Sequence, residues 1–214
     1  MVAVEWLGHS CFLIRGESVA IVTDPFGPDA GLHYPAISVR ADLILVSHEH
    51  RDHNCASAVG GSPKVIKGEG EWGAPASVKG ITANHDANGG SLRGKTTIYA
   101  FTVDGVTFCH LGDLGEIPPN DVAKEIGEVD VLMIPVGGVF TIDHKGADAV
   151  VALLRPKIAI PMHYWTEFSG FRLDPVSKFT SGKSNVRIEE TNRLTIGSAT
   201  LPSSTEIVVL SPPK

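Results

Sequence analysis

Cysteine is scarce in this sequence. Cys11, Cys55 and Cys109 are odd in number, widely spaced and form no C-x-x-C pair, which argues against a disulfide framework and for a reducing compartment. Each reads as a small buried hydrophobe, with Cys55, two residues past His53, the best candidate for a reactive thiol. No apolar run approaches membrane-spanning length, and Met1-Val2-Ala3-Val4-Glu5-Trp6 lacks the basic region and long apolar stretch of a signal peptide. A cytoplasmic protein with no membrane partner is expected. Basic tracts are missing too. The 18 Lys and Arg against 24 Asp and Glu leave a net charge of −6, so the electrostatic footprint of nucleic-acid binding is absent. No low-complexity linker or short-period repeat is found, and 214 residues suit one domain spanning 1–214. An apolar content of 43% is ample for a layered core.

What the chain does have is concentrated at one point. Asp42-Leu43-Ile44-Leu45-Val46-Ser47-His48 is an apolar run bounded by polar residues and reads as a buried strand. It empties into His48, His50, Asp52 and His53. Imidazoles and a carboxylate this close are costly to bury unpaired and share one purpose, holding transition metal. His48 and His50 point the same way off a strand end, and Asp52 and His53, just past it, are placed to serve a second ion.

Around this point the chain reads as short strands and helices. Strands are expected over Val2–Leu7, Cys11–Arg15 and Val19–Thr23, before a Gly/Pro loop opened by Asp24-Pro25-Phe26-Gly27-Pro28. After the histidines a short helix is expected over Asp52–Val59, stopped by Gly60-Gly61. Val65–Lys67 and Val78–Ala83 read as strands, and Gly68–Pro75 between them is too glycine-rich to be regular. Thr96–Val103 and Val106–Leu111 flank Asp104-Gly105, a strong hairpin signal. A helix from Pro118 to Ile126, a strand over Val131–Val136 and a helix carrying Ala147, Val150, Val151 and Leu154 follow, the last ended by Pro156. Lys157–Met162 is a strand, Pro175–Phe179 a helix, and Val186–Glu189 and Ile207–Leu210 are strands. Antiparallel strands followed by alternating strand and helix in each half imply two facing sheets with helices outside, an α/β sandwich in four layers.

Three further segments deliver an ionisable side chain where a strand ends: His85, Asp113 (between Gly112 and Gly115) and His163. Ligands gathered on strand ends from across a chain are how a rigid scaffold fixes a metal site. Together, His48-x-His50-x-Asp52-His53, His85, Asp113 and His163 resemble the five motif positions of the metallo-β-lactamase superfamily, in order and over nearly the whole chain. Leu7-Gly8-His9-Ser10, Thr23-Asp24-Pro25, Leu111–Gly115 and Ile160–Tyr164 are similar to a branch of small Zn-dependent hydrolases related to ascorbate 6-phosphate lactonase.

The resemblance implies a four-layer αββα sandwich with two divalent metal ions, Zn first and Mn or Fe as alternatives. His48, His50 and His85 would hold one ion, Asp52, His53 and His163 the other, and Asp113 would bridge them. It implies a metal-dependent hydrolase that activates water between two ions, with Asp52 orienting the nucleophile and a small ester, lactone or phosphate-containing molecule as substrate. Superfamily relatives that run di-iron redox chemistry carry Glu where this chain has His50, which favours hydrolysis. The alternatives are a phosphodiesterase or nuclease, and a metal-binding protein without turnover; a homo-oligomer stays open.

His9 and Asp24 are catalytic candidates, their other reading being hydrogen bonds to a neighbouring loop. Asp143 and His144 are weighed between catalysis and helix N-capping by Thr141 or Asp143. His33 and His110 have no nameable partner. Trp72, Phe140, Tyr164, Trp165 and Phe168 either line a pocket mouth or, more simply, pack into the core.

Overall fold

Apolar residues of the first strands alternate, and the alternation sorts them into two separate cores. The computed structural model describes residues 1–214. Its strands are β1 (Val2–Gly8), β2 (Cys11–Arg15), β3 (Ala20–Thr23), β4 (Leu43–Val46), β5 (Lys64–Lys67), β6 (Gly70–Trp72), β7 (Val78–Asn84), β8 (Lys95–Val103), β9 (Val106–His110), β10 (Val131–Pro135), β11 (Ile158–Met162), β12 (Val186–Ile188), β13 (Arg193–Ile196) and β14 (Glu206–Val209). Its helices are α1 (Asn120–Ile126), α2 (His144–Leu154) and α3 (Ser177–Thr180).

Two mixed sheets result. One has six strands in the order β13-β1-β2-β3-β4-β5, and the other has eight in the order β12-β14-β11-β10-β9-β8-β7-β6. Val4, Trp6, Phe12, Ile14, Ile21, Leu43 and Leu45 point from the first sheet into the core it shares with the second. Their alternating neighbours Cys11, Leu13, Ala20, Val22, Ile44 and Val46 point outward into a smaller cluster. That period of two is the pleat of half-buried and doubly buried strands. β10 and β11 are buried throughout and pair in parallel, which is why their sequences are continuously apolar instead of alternating. α2 covers the second sheet with Ala147, Val150 and Leu154.

The sandwich read from the sequence is therefore present, with a lighter outer layer over the first sheet. There Phe26, Leu32, Tyr34, Ala41 and Val59, all on loops or short turns, cover the outward cluster in place of a helix. The helix expected over Asp52–Val59 does not form; only a 3-10 turn at Ala56–Ala58 does. Its backbone groups are taken elsewhere: the Cys55 N–H donates to the Pro25 carbonyl at 2.8 Å, tying this segment to the loop after β3. Within Gly68–Pro75 a three-residue strand, β6, pairs antiparallel with β7. β13, unread in the sequence, closes the first sheet against β1. The Asp104-Gly105 hairpin forms as expected, with φ of 46° and 75° at its two turn residues.

The topology has one consequence for function. β3 and β4 run parallel, as do β9, β10 and β11, so their C-terminal ends in the two sheets open on the same region.

Candidate metal centre

His9 follows β1, Asp24 follows β3, Ser47 and His48 follow β4, His85 follows β7, Asp113 lies just beyond β9, and His163 follows β11. His9, Asp24 and His163 all have positive φ, at 51°, 38° and 51°. A left-handed backbone costs a non-glycine residue about 1–2 kcal/mol, and three such residues meet in one place because the strand ends must turn sharply to aim these side chains inward. Asp113 needs glycine beside it. A Cβ on Gly112 (φ 53°) would lie 2.5 Å from Thr96 Oγ1, and one on Gly115 would lie 2.1 Å from the Asp86 amide nitrogen.

The structure brings all seven expected ligand residues together. His50 Nδ1 lies 3.0 Å from His48 Nε2 and 3.3 Å from His85 Nε2. Asp113 presents Oδ2 to His85 Nε2 at 3.4 Å, to His163 Nε2 at 3.2 Å and to His48 Nε2 at 3.9 Å. Its Oδ1 lies 3.4 Å from His53 Nε2, which is 3.5 Å from Asp52 Oδ2. Two ligands bound at 2.0–2.1 Å to one ion in tetrahedral geometry sit roughly 3.3 Å apart. The spacings thus match the edges of a metal's coordination shell. His53 Nε2 and Asp113 Oδ1 are moreover buried without a hydrogen-bond partner, a state that costs about 1–3 kcal/mol per group unless something else binds there. The donor set of imidazoles and carboxylates fits Zn and comparable divalent ions.

Asp24 explains how the histidines are aimed. Fully buried, it accepts hydrogen bonds from the Ser47 N–H (2.7 Å), the Ser47 hydroxyl (2.6 Å) and His53 Nδ1–H (2.9 Å). Because the Ser47 hydroxyl proton points to Asp24, its oxygen accepts from His48 Nδ1–H at 2.9 Å. One carboxylate therefore keeps a proton on Nδ1 of both rings and turns both Nε2 atoms toward the site, the atoms that a metal would bind on displacing any proton there. Asp24 thus lies behind the histidines, bonded to His53 directly and to His48 through Ser47.

The charges are strongly coupled. Burial pulls the His53 pKa down, but Asp113 and Asp24 outweigh it and hold it well above the usual histidine range. Burial likewise raises Asp113, and His163 and His53 reverse this to leave it well below the carboxylate range. For Asp52 burial is outweighed by the neighbouring His53 and His9 imidazoles, and its pKa is also lowered. His48 is pushed down to about 3, chiefly by burial and then by His53. His9 is pushed down to about 4 by burial and by His163.

Above this cluster lies a cleft of about 480 Å³ whose floor is His50, Asp52, His85, Asp113 and His163 and whose walls include Arg51, Arg93, Phe140 and Phe171. Arg93 is anchored at both ends. Asp86 accepts backbone N–H bonds from Asn88, Gly90, Leu92 and Arg93 (2.8–3.1 Å), and the guanidinium lies 4.8 Å above the Phe140 ring. Arg93, Asp86, Phe171 and Ser47 were not among the sequence candidates. The Asp-x-Asn-Gly-Gly-type turn signal after His85 was the readable clue to the Asp86 loop.

The remaining candidates fall outside the ligand set. Asp143 caps α2 by accepting from the Lys145 and Gly146 amides, and His144 begins that helix. His110 is a buried strut whose Nε2–H donates to the Ser10 carbonyl (2.9 Å) and whose Nδ1 accepts from the Gly112 N–H (3.1 Å). His33 is exposed, and its amide donates to the Phe168 carbonyl. Phe140 lines the cleft, Tyr164 is core, Trp72 packs against the core, Phe168 packs on Tyr34, and Trp165 is exposed. Cys55 is half-buried, with its sulfur 3.5 Å from Ser57 Oγ.

Comparison with known proteins agrees with this geometry. The family model described as a β-lactamase superfamily domain matches residues 3–163. A UPF0173 metal-dependent hydrolase of Carboxydothermus hydrogenoformans is 33% identical over 194 residues, covering 76% of this chain and 84% of the relative. One from Thermococcus kodakarensis is 32% identical over 195 residues, covering 78% and 86%. The crystal structure of a metallo-β-lactamase superfamily protein from Thermotoga maritima, proposed to be a Zn-dependent hydrolase, superposes with a TM-score of 0.83 at 36% identity over 98% of both chains. The chain belongs to the metallo-β-lactamase superfamily.

Proposed function

We propose that this metal-dependent hydrolase holds two divalent ions, Zn foremost, and opens a small anionic ester, lactone or phosphate-containing substrate. The observation that carries the reading is the placement of Asp113, with one carboxylate oxygen toward His85 and His163 and the other toward His53. Bound ions would lower the pKa of water to ~7 and so supply a nucleophile at neutral pH.

The chain's own residues do the rest. Asp52 is the ligand carboxylate most open to the cleft, with 20% of its side chain exposed, and it is placed to accept a hydrogen bond from the attacking water. Phe140 and Phe171 exclude water from one wall. Arg51 and Arg93 face the same cleft and neither is paired with a carboxylate, so in a chain of net charge −6 the mouth of the site carries two cations without a charge partner. They suit a carboxylate or phosphate on the substrate. The test is a panel of matched neutral and anionic aryl esters, lactones and phosphoesters with metal-loaded protein. Turnover abolished by chelation and restored by Zn supports the reading; no turnover of any of them by protein carrying two ions contradicts it.

A further inference from the structure

His9 is the one buried ring in the centre that the seven-residue ligand set leaves without a role. It is fully buried, and neither ring nitrogen has a hydrogen-bond partner. Its Nε2 lies 3.2 Å from Asp52 Oδ2 without the direction of a hydrogen bond. One ring nitrogen of His9 and one ligand atom each of Asp52, His53 and His163 all lie within 4.8 Å of one another. The ring centroid lies 4.1 Å from that of His163, tilted by 44°, and 5.3 Å from that of His53, and Phe171 packs against it edge to face at 5.6 Å.

The backbone is arranged to keep it there. His9 has φ 51°, and its carbonyl accepts both Trp6 Nε1–H (3.0 Å) and the His163 N–H (3.3 Å). A left-handed residue latched to the strand ends of both sheets holds its side chain in a single direction. A neutral imidazole nitrogen facing a carboxylate oxygen, undirected and away from water, is unfavourable unless a cation lies between them. The 3.2 Å spacing equals the co-ligand edges described above, for which roughly 3.3 Å is the tetrahedral value.

We infer that His9 Nε2 is itself a ligand of the second ion, alongside Asp52, His53, His163 and the shared Asp113. Each ion then has three imidazoles. This rests on the two-ion reading above, and the experiment separates the two. His9→Gly suits the left-handed backbone without strain, and His9→Asn, which tolerates it, serves as a second variant. Zn affinity is measured by competition with a chromophoric chelator for the full-length wild type and both variants. The second equivalent is expected to bind at least tenfold more weakly in each variant with the first unchanged, and added imidazole is expected to restore it in His9→Gly. A crystal structure of the Zn-loaded wild type is expected to place His9 Nε2 at about 2.0–2.1 Å from the second ion. Two ions bound with unchanged affinity in both variants, or a His9 nitrogen beyond 3 Å with Asp52 as its partner, overturns the assignment alone. A wild type that binds a single ion overturns the two-ion reading and the assignment with it.

Discussion

Replacing Asp24 by Asn alters the chemistry of a buried side chain and leaves its volume intact. Asp24 accepts from three donors, the Ser47 N–H, the Ser47 hydroxyl and His53 Nδ1–H, at 2.6–2.9 Å. An amide has one acceptor oxygen and a nitrogen that only donates. With the oxygen toward His53, the amide nitrogen meets the Ser47 N–H, donor against donor. With the oxygen toward the Ser47 N–H, the nitrogen meets His53 Nδ1, and the imidazole proton must move to Nε2, the atom facing Asp113 at 3.4 Å. The Ser47 hydroxyl then turns toward His48 Nδ1 and drives that proton to Nε2 as well. The first orientation buries a donor clash, and the second removes the lone pairs from the ligand atoms. Disturbing the partner that orients a ligand histidine costs about 10–100-fold in metal affinity, about 1.4–2.7 kcal/mol. The metal-free fold should lose less than a full buried ion pair, about 1–3 kcal/mol, since the variant buries no charge. In a chain of 214 residues that lowers Tm by roughly 2–12 °C. Zn competition and metal-free melting measure the two effects separately. A folded Asp24→Asn protein that binds Zn with wild-type affinity refutes the tautomer argument.

Arg93→Gln should raise KM for a carboxylate-bearing aryl ester about tenfold, the scale of one charge contact in a partly exposed cleft, and leave KM for its neutral counterpart unchanged; equal effects on both would remove Arg93 from substrate binding. Gly115→Ala would drive a methyl to 2.1 Å from the Asp86 amide, costing at least about 2 kcal/mol, visible as a Tm fall of roughly 4–8 °C; an unchanged Tm contradicts the close packing of the two loops. Metal-free protein should lose stability as pH falls from 6.5 toward 4. His9 and His48 are held down to about 4 and about 3 by burial, so across that window the unfolded chain takes up protons that the folded chain refuses, up to about 1.4 kcal/mol per pH unit for each. His53, raised, stays protonated in the folded state there and opposes the trend only near pH 6.5, where the unfolded ring is about half protonated; its contribution is lost as pH rises through its folded pKa. Melting at pH 6.5 and 5 checks the sign, and a Tm that climbs on acidification contradicts it.

The core and the clustering of the histidines were legible because their signals are local. Leu43–Val46 is apolar without interruption and empties into His48, and the Asp104-Gly105 turn dictates its own hairpin. What stayed hidden depends on distant partners. β13 offers only Leu194 and Ile196 to the core and is fixed by β1, far away in sequence. The helix read over Asp52–Val59 yields to the Cys55–Pro25 hydrogen bond, which no periodicity announces. Asp24 could be placed near the site by resemblance, but its hold on His53 and His48 exists only once β3 and β4 lie side by side. Arg93 is an isolated charge in the sequence and joins the cleft only because Asp86 gathers four amides of its loop.

The central claim is that Asp113 joins two ions in one centre, and metal content per chain tests it most directly. Protein purified without added metal, then equilibrated with Zn, should hold two equivalents, and Asp113→Ala should lose most of both while remaining folded. Failure of the wild type to retain or take up metal, or an Asp113→Ala chain that keeps two equivalents, would contradict it.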